Sequence, residues 1–135
     1  MSDLNDIKWI DLPSIIDERG ILTAIESKRD IPIEICRLFY VHDIISDRGG
    51  HAHIDTNQVL ISISGEFTLT ISDGKREHTY QMNDPTKGIY IPKMIFINMS
   101  NFSENAVCFV IADTYYNKKK NINNWEEYLR IVQRY

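Results

Sequence analysis

Residues 58–74 have the sequence QVLISISGEFTLTISDG, in which apolar and polar side chains alternate on both sides of a short turn. Alternation with a period of two is typical of a β-strand that buries one face. A central Ser-Gly-Glu segment separates the halves, so the stretch predicts a β-hairpin, and Asp73-Gly74 predicts a second tight turn. We expect the face formed by Val59, Ile61 and Ile63 to point into the interior of a barrel.

Further strands are predicted on both sides of this hairpin. Short alternating or β-branched runs occur at residues 22–26, 35–42, 50–53, 77–82, 88–91, 95–99 and 106–112. Many short strands separated by frequent turn signals favour a sandwich or a barrel over alternating strands and helices. With 135 residues, the chain has the length of one domain, which we expect to span residues 1–135.

The C-terminal tail has a different pattern. Apolar residues recur with helical spacing from Trp125 to Val132, and Asn123 or Asn124 can cap the start of this helix. The sequence therefore predicts one short C-terminal helix on an all-β body. The preceding run Lys118–Lys120 is expected to be a solvated connection, because runs of like charge usually lie on the surface.

Composition and charge restrict the classes of function. The formal net charge is −4, which disfavours a general nucleic-acid binder, since such proteins usually carry a basic face. The sequence shows neither a signal peptide nor an apolar run long enough to span a membrane, so we expect a cytoplasmic protein that does not bind membranes. Cys36 and Cys108 lie in apolar runs and are expected to be buried, reduced thiols.

The most informative segment for function is Arg48-Gly49-Gly50-His51-Ala52-His53. Alternation along a strand places His51 and His53 on the same face. Two imidazoles on an inward face are costly to bury as mere filling, because each ring needs hydrogen-bond partners. The pair beside Arg48 therefore indicates a functional site, in which two chemistries are possible.

Metal binding is the first possibility, since His-x-His occurs in many metal sites. A metal site of this kind needs further ligands, usually a carboxylate a few residues later and a third histidine on a later strand. Here the position of the carboxylate holds Asn57 or Gln58. The later strand, predicted within residues 94–99, has no histidine. The pair alone would leave a weak and open site, so we predict no metal and no other cofactor.

Proton transfer is the second possibility. A neutral imidazole has a pKa near 6.5 and can accept and return a proton near neutral pH. Two adjacent imidazoles could serve a carbonyl group and its neighbouring carbon, one removing the α-hydrogen while the other handles the proton on oxygen. That is the chemistry of an isomerisation through an enediol without a redox cofactor.

The chain resembles the sugar 3,4-ketoisomerases of the WxcM-like cupin group along nearly its whole length. The resemblance is carried by Asp17-Glu18-Arg19-Gly20, Arg37-Leu38-Phe39-Tyr40, Arg48 to His53, Gln58-Val59-Leu60, Gly88-Ile89-Tyr90 and Ala112-Asp113-Thr114-Tyr115-Tyr116. It implies an all-β cupin fold, an RmlC-like jelly roll with a short C-terminal helix. It also implies a homodimer with exchanged N-terminal strands.

The same resemblance implies an activity. The family moves the keto group of dTDP-4-keto-6-deoxyglucose from C4 to C3, on the way to 3-amino-3,6-dideoxy sugars such as those of surface polysaccharides. His51 would be the base at C3 and His53 its proton-handling partner. Arg19 and Arg48 would lie near the diphosphate or the sugar, and Tyr40 would supply a pocket hydroxyl.

Three further residues are candidates for substrate binding, namely Arg37, Gln58 and Tyr90. Two positions depart from the family pattern, because Asn57 stands where many members have a glutamate and Ile97 where many have a histidine. The stretch 120–123 departs from it as well. Two alternatives to a ketoisomerase therefore remain, a dTDP-sugar epimerase and a cupin that binds a sugar nucleotide without turning it over.

Overall fold

The structure is a computed structural model that describes residues 3–134. In this range the chain forms β1 (Lys8–Asp11), β2 (Ser14–Asp17), β3 (Gly20–Thr23), β4 (Arg37–Val41), β5 (Arg48–His53), β6 (Gln58–Ser64), β7 (Phe67–Ser72), β8 (Glu77–Met82), β9 (Lys87–Ile91), β10 (Phe96–Ser100), β11 (Val107–Ala112), β12 (Asn121–Ile122) and α1 (Trp125–Val132). Short 3-10 helices cover Leu4–Asp6 and Lys118–Lys120.

Ten of these strands form two five-stranded antiparallel sheets. One sheet has the order β1-β9-β6-β11-β4 and the other the order β12-β5-β10-β7-β8, while β2 and β3 form a separate hairpin. The main apolar cluster, the inner core, combines residues from both sheets, such as Leu60 and Val110 from the first and Leu69 and Ile97 from the second. The expected jelly roll with one short C-terminal helix is confirmed.

Most strands lie where the alternation predicts them. The predicted ranges 67–72 and 77–82 coincide with β7 and β8. Strands β1, β2 and β12 were not predicted, and the range predicted at 22–26 overlaps only the end of β3. β1 and β12 are edge strands of two to four residues, too short to display a clear period.

The inward face of β6 differs from the prediction. Val59 and Ile61 belong to a second apolar cluster, the outer cluster, together with Leu12, Ile31 and Ile33 from the N-terminal segment. The prediction that the face of Val59 points into the barrel was therefore wrong. The opposite face points inward and carries Leu60, because the N-terminal segment covers the outside of this sheet and β6 is buried on both faces.

The C-terminal helix α1 covers the outside of β5. Asn124 caps its start, with its side-chain oxygen accepting a hydrogen bond of 2.9 Å from the backbone N–H of Glu127. Tyr128 is buried, and its single hydroxyl hydrogen is shared between the carbonyl oxygens of Met94 and Ser72, which lie 2.7 and 3.1 Å from the hydroxyl oxygen. The helix packs there on Ala52, the residue between the two histidines, so it fixes the position of the strand that carries them.

Two glycines on β5 allow this strand to approach its neighbour β10 closely. Gly49 and Gly50 have positive φ angles of 101° and 73°, which disfavour other residues. A Cβ atom at Gly49 would lie 2.6 Å from the Ile97 carbonyl oxygen, so the two strands could not approach each other as closely. The register of the pair shifts at this point, between Ile97 and Asn98, which is typical of a β-bulge.

Other expectations concern thiols, charges and membranes. Cys108 is buried and Cys36 half-buried, both as free thiols, and burial raises the pKa of Cys108 to about 12. The run Lys118–Lys120 is exposed, as expected. Across residues 3–134, the structure has no helix of the length and hydropathy that crossing a bilayer requires.

Candidate active site

The two histidines lie side by side on β5. Their ring centroids are 5.1 Å apart and the planes meet at 77°, an edge-to-face arrangement. Both side chains are half-buried, whereas Ala52 between them is fully buried under α1. The cross-strand partner of His51 is Ile97, a residue of the inner core, so the pair points into the space between the sheets.

Burial keeps both imidazoles uncharged at neutral pH. It lowers the pKa of His53 to about 4, aided by repulsion from His51 when that ring is protonated and from Arg37, and opposed by a hydrogen bond with the Asn121 side chain. Burial also lowers the pKa of His51, and Arg48 adds to this, while a hydrogen bond with the Gly49 backbone opposes it. Two neutral rings in contact can each accept or donate a proton.

The low pKa of His53 predicts acid sensitivity of the fold. Between about pH 6.5 and about 4, His53 is protonated in the unfolded chain but remains neutral in the folded protein. The free energy of unfolding therefore falls as the pH falls through this window. The whole shift of the His53 pKa corresponds to a change of about 3 kcal/mol in the free energy of unfolding across this window. Urea denaturation at several pH values should therefore give a shallower pH dependence for His53→Gln than for the wild type. Parallel curves for the two proteins would contradict the low pKa.

Two arginines flank the pair. The positive charge of Arg48 acts on His51 and that of Arg37 on His53. The Arg37 guanidinium lies 5.4 Å from the ring centroids of both Phe39 and Tyr116, and its buried Nε has no hydrogen-bond partner among the described residues. Guanidinium groups match phosphate oxygens well, so this side of the site suits an anionic ligand.

Other predicted residues lie elsewhere in the chain. Tyr40 pairs with Phe109 across β4 and β11, and Tyr90 packs with Phe109 on the outer cluster, so both tyrosines face away from the histidines. Arg19 lies at the tip of the β2–β3 hairpin, where its side chain is 84% exposed and its guanidinium donates to the Asp17 carboxylate at 2.7 Å. Gln58 is buried and shares the inner face of β6 with Leu60.

The two departures from the family pattern have structural explanations. Asn57 donates from its side chain to Asp113 at 2.9 Å and accepts a bond of 2.8 Å from the Lys93 backbone, so it ties two loops together. Ile97 is buried opposite His51 and adds apolar surface beside that ring. In the described part of the chain, no three His, Cys, Asp or Glu side chains are grouped as metal ligands.

Sequence reasoning missed three residues of the site. Asn121 on β12 is the cross-strand partner of His53 and hydrogen-bonds its ring. Phe39 and Tyr116 each place a ring against the Arg37 guanidinium. The alternation of side chains along β4 could have indicated Phe39, because it is two residues from Arg37 and therefore on the same face. Nothing in the sequence indicates Asn121, because a two-residue strand has no period.

Fold and site together define a class. A two-sheet jelly roll with a pair of histidines on the inner face of β5 is the arrangement of a cupin. The model of the WxcM-like, C-terminal (FdtA) family matches residues 5–133. The chain belongs to that family.

Relatives of known activity support an isomerase. The TDP-4-oxo-6-deoxy-alpha-D-glucose-3,4-oxoisomerase of Aneurinibacillus thermoaerophilus is 32% identical over 127 residues, which cover 93% of this chain and 91% of that one. The TDP-quinovose 3,4-ketoisomerase WlaRB of Campylobacter jejuni is 37% identical, with a TM-score of 0.89 over 94% of this chain and 99% of that one. The expected enzyme class, an isomerase of the 3,4-ketoisomerase kind, is thereby confirmed.

A third relative was crystallised with ligands. The sugar 3,4-ketoisomerase QdtA of Thermoanaerobacterium thermosaccharolyticum, in complex with TDP, is 32% identical, with a TM-score of 0.93 over 97% of both chains. A mutant of QdtA with asparagine in place of one histidine was crystallised with TDP-4-keto-6-deoxyglucose. The sugar epimerase NovW of Streptomyces spheroides shares the fold alone, at 11% identity and a TM-score of 0.75 over 91% of this chain and 70% of that one.

Proposed function

We propose that this enzyme moves the keto group of TDP-4-keto-6-deoxyglucose from C4 to C3 by proton transfer between the sugar and the pair His51 and His53. The observation that carries the proposal is the contact of two neutral imidazoles on the inner face of β5. A ligand of this kind is known for QdtA, which is similar over nearly the whole chain.

The proposed reaction needs one proton at carbon and one at oxygen. His51 removes the C3 hydrogen while O4 gains a proton, so the electrons of the C–H bond form the C3–C4 double bond of an enediol. The O3 proton then leaves, the carbonyl forms at C3, and a proton is delivered to C4. His53 is suited to pass the hydroxyl proton from O3 to O4, since a neutral imidazole has one donor and one acceptor nitrogen.

The proposed ligand contacts fall into two groups. Arg37 and Arg48 adjoin the histidines in the same protomer and would hold the diphosphate, with Gln58 on the neighbouring inner face. Arg19, Tyr40 and Tyr90 point away from that site, so any contact they make with substrate would be to the site of a second protomer.

We also propose a homodimer and a biological setting. Side chains of Ile15, Ile16, Ile21 and Leu22 are exposed on the β2–β3 hairpin, which suits burial against a second copy. The product, a 3-keto sugar nucleotide, is a substrate for amination at C3. That step leads to 3-amino-3,6-dideoxy sugars of surface polysaccharides, and a nucleotide-sugar enzyme of this kind would work in the cytoplasm.

Incubation with TDP-4-keto-6-deoxyglucose in heavy water tests the proposed function. Proton NMR should show loss of the C3 hydrogen signal and a new C4 carbinol carrying deuterium or transferred hydrogen, with the carbonyl carbon moved to C3. Inversion at a stereocentre with the carbonyl still at C4 would instead establish an epimerase. Binding of the nucleotide sugar without any change at C3 or C4 would establish a non-catalytic cupin, the alternative that Asn57 and Ile97 leave open.

A further inference from the structure

A cavity lies on the outer side of the sheet that contains β5, β10 and β7. Its volume is about 410 Å³, and the side chains that matter for its chemistry are those of Asn98, Asn123, Glu77 and Trp125, with Gly50 and Thr70 at its floor. We infer that this cavity, the outer groove, binds an uncharged pyranose unit. The inference goes beyond the proposed function, because the groove and the histidines are on opposite faces of β5.

Gly50 leaves the floor of the groove open at one point. A Cβ atom there would meet only the Asn98 Oδ1 atom within 4 Å, at 3.8 Å, and would project into open space. The helix α1 packs on the sheet at Ala52 and Phe96. The sheet surface is thus left open between the glycine and the start of the helix.

Trp125 provides a rigid apolar wall. Its side chain is 40% exposed, and it is held by the Phe96 ring at 5.1 Å between centroids and by the Tyr128 ring at 5.7 Å. A ring already fixed by packing loses little conformational entropy on binding. The C–H face of a pyranose is the apolar surface that fits against such an aromatic side chain.

The polar groups of the groove are free to bind hydroxyls. Asn98 and Thr70 are cross-strand neighbours, and among the described residues the side chains of Asn98, Thr70, Asn123 and Glu77 make no hydrogen bond to other protein groups. An amide offers two donors and an acceptor, and a carboxylate offers only acceptors. A ligand with several hydroxyl groups on one ring satisfies this mixture.

Charge distinguishes the outer groove from the histidine site. The residues that line the groove include the carboxylate of Glu77 and no lysine or arginine, whereas Arg37 and Arg48 adjoin the histidines. A diphosphate or a uronic acid would approach Glu77 without a compensating cation. The groove therefore suits a neutral sugar and not the nucleotide part of the proposed substrate.

A titration followed by NMR tests the inference. Uniformly 15N-labelled protein is first saturated with TDP and then titrated with methyl β-D-glucopyranoside. We expect saturable shifts of the Gly50, Asn98 and Asn123 amides and of the Trp125 indole N–H, while the Trp9 indole, which lies against Tyr80, stays unchanged. The sugar shifts can be read even if TDP does not bind, so failure of the proposed function would not obscure them.

Variants and related probes make the test specific. Asn98→Ala and Asn123→Ala should each weaken binding about three- to tenfold, the effect of one lost hydrogen bond, without changing turnover. Asn83→Ala, an exposed asparagine outside the groove, is the matched control and should bind normally. Because Trp125 is packed, Trp125→Phe serves as a second variant that keeps a ring. Equal shifts with glycerol or glucuronate, or binding unaffected in both asparagine variants, would overturn the inference.

Discussion

Replacing His51 with asparagine is expected to lower kcat by about a thousandfold or more while TDP still binds. A base that removes a hydrogen from carbon typically contributes two to four orders of magnitude. Asparagine keeps a polar side chain of similar size in the half-buried position but cannot accept a proton near neutral pH. The substitution should therefore abolish proton abstraction while the affinity for TDP stays the same.

The matched control is His78→Asn. His78 is exposed on β8, and its ring is 6.4 Å from that of Tyr80, away from the pair on β5. Turnover in the NMR assay described above, TDP affinity by calorimetry and the thermal unfolding midpoint should be measured for both variants. If His51→Asn turned over substrate at near wild-type rates, or lost TDP binding as fully as turnover, His51 would not be the base.

The pH profile sharpens the assignment. Because burial lowers the pKa of His51 below its ordinary value of 6.5, the free enzyme should keep its active, unprotonated form to a lower pH than an ordinary imidazole would. We expect the acid-side fall of kcat/KM to have its midpoint below that of an ordinary imidazole, as measured from rates between about pH 5 and about 8.

The sequence predicted the sheet well because alternation survives where one face is buried and the other is polar. Strands β7 and β8 are examples. Alternation failed at β6, since Val59 and Leu60 are buried on opposite faces and periodicity alone cannot tell which is inside. It also gave no indication that the N-terminal segment covers the outer side, because that contact joins residues far apart in the chain.

The sequence could predict which face of a strand a site residue is on, because side chains alternate between the two faces. His51 and His53 are two apart on β5 and fall on one face, as predicted. Arg37 and Tyr40 are three apart on β4, so a regular strand must turn them to opposite faces, and the structure does so. Resemblance to a family suggested both as ligand contacts, but the structure places Tyr40 on the face of β4 that points away from the histidines.

Charging the β2–β3 hairpin is expected to convert the proposed dimer into monomers. This hairpin carries Ile15 and Leu22 on one face and Ile16 and Ile21 on the other, and all four side chains are 59–74% exposed. A two-stranded hairpin is only marginally stable by itself. Exposed apolar side chains on both of its faces indicate that both faces are covered by another protein surface.

The partner we propose is a second copy of this chain. Beside the hairpin, an apolar groove of about 430 Å³ is lined by residues such as Ile61, Ile63 and Phe109 on the outer face of the first sheet. Leu38 and Tyr40 are exposed on the same side. Two-fold symmetry lets each hairpin cover the other protomer's groove, which also brings Arg19 near the partner.

The double substitution Ile16→Asp with Leu22→Asp places one carboxylate on each face of the hairpin. Burying these charges costs several kcal/mol, so the dissociation constant of the dimer should rise by at least about a hundredfold. Ile45→Asp is the matched control, because Ile45 is 99% exposed in the loop between β4 and β5. Light scattering after gel filtration should then give twice 15.8 kDa for the wild type and the control, and 15.8 kDa for the double variant.

The activity of the monomeric variant separates two roles of the hairpin. If Arg19 or Tyr40 contacts substrate in the partner's site, the monomer should lose TDP affinity even though its histidine pair is intact. If the hairpin serves only assembly, affinity should persist while thermal stability falls. A wild-type protein that is monomeric at micromolar concentration would contradict the dimer itself and, with it, any contact between protomers at the active site.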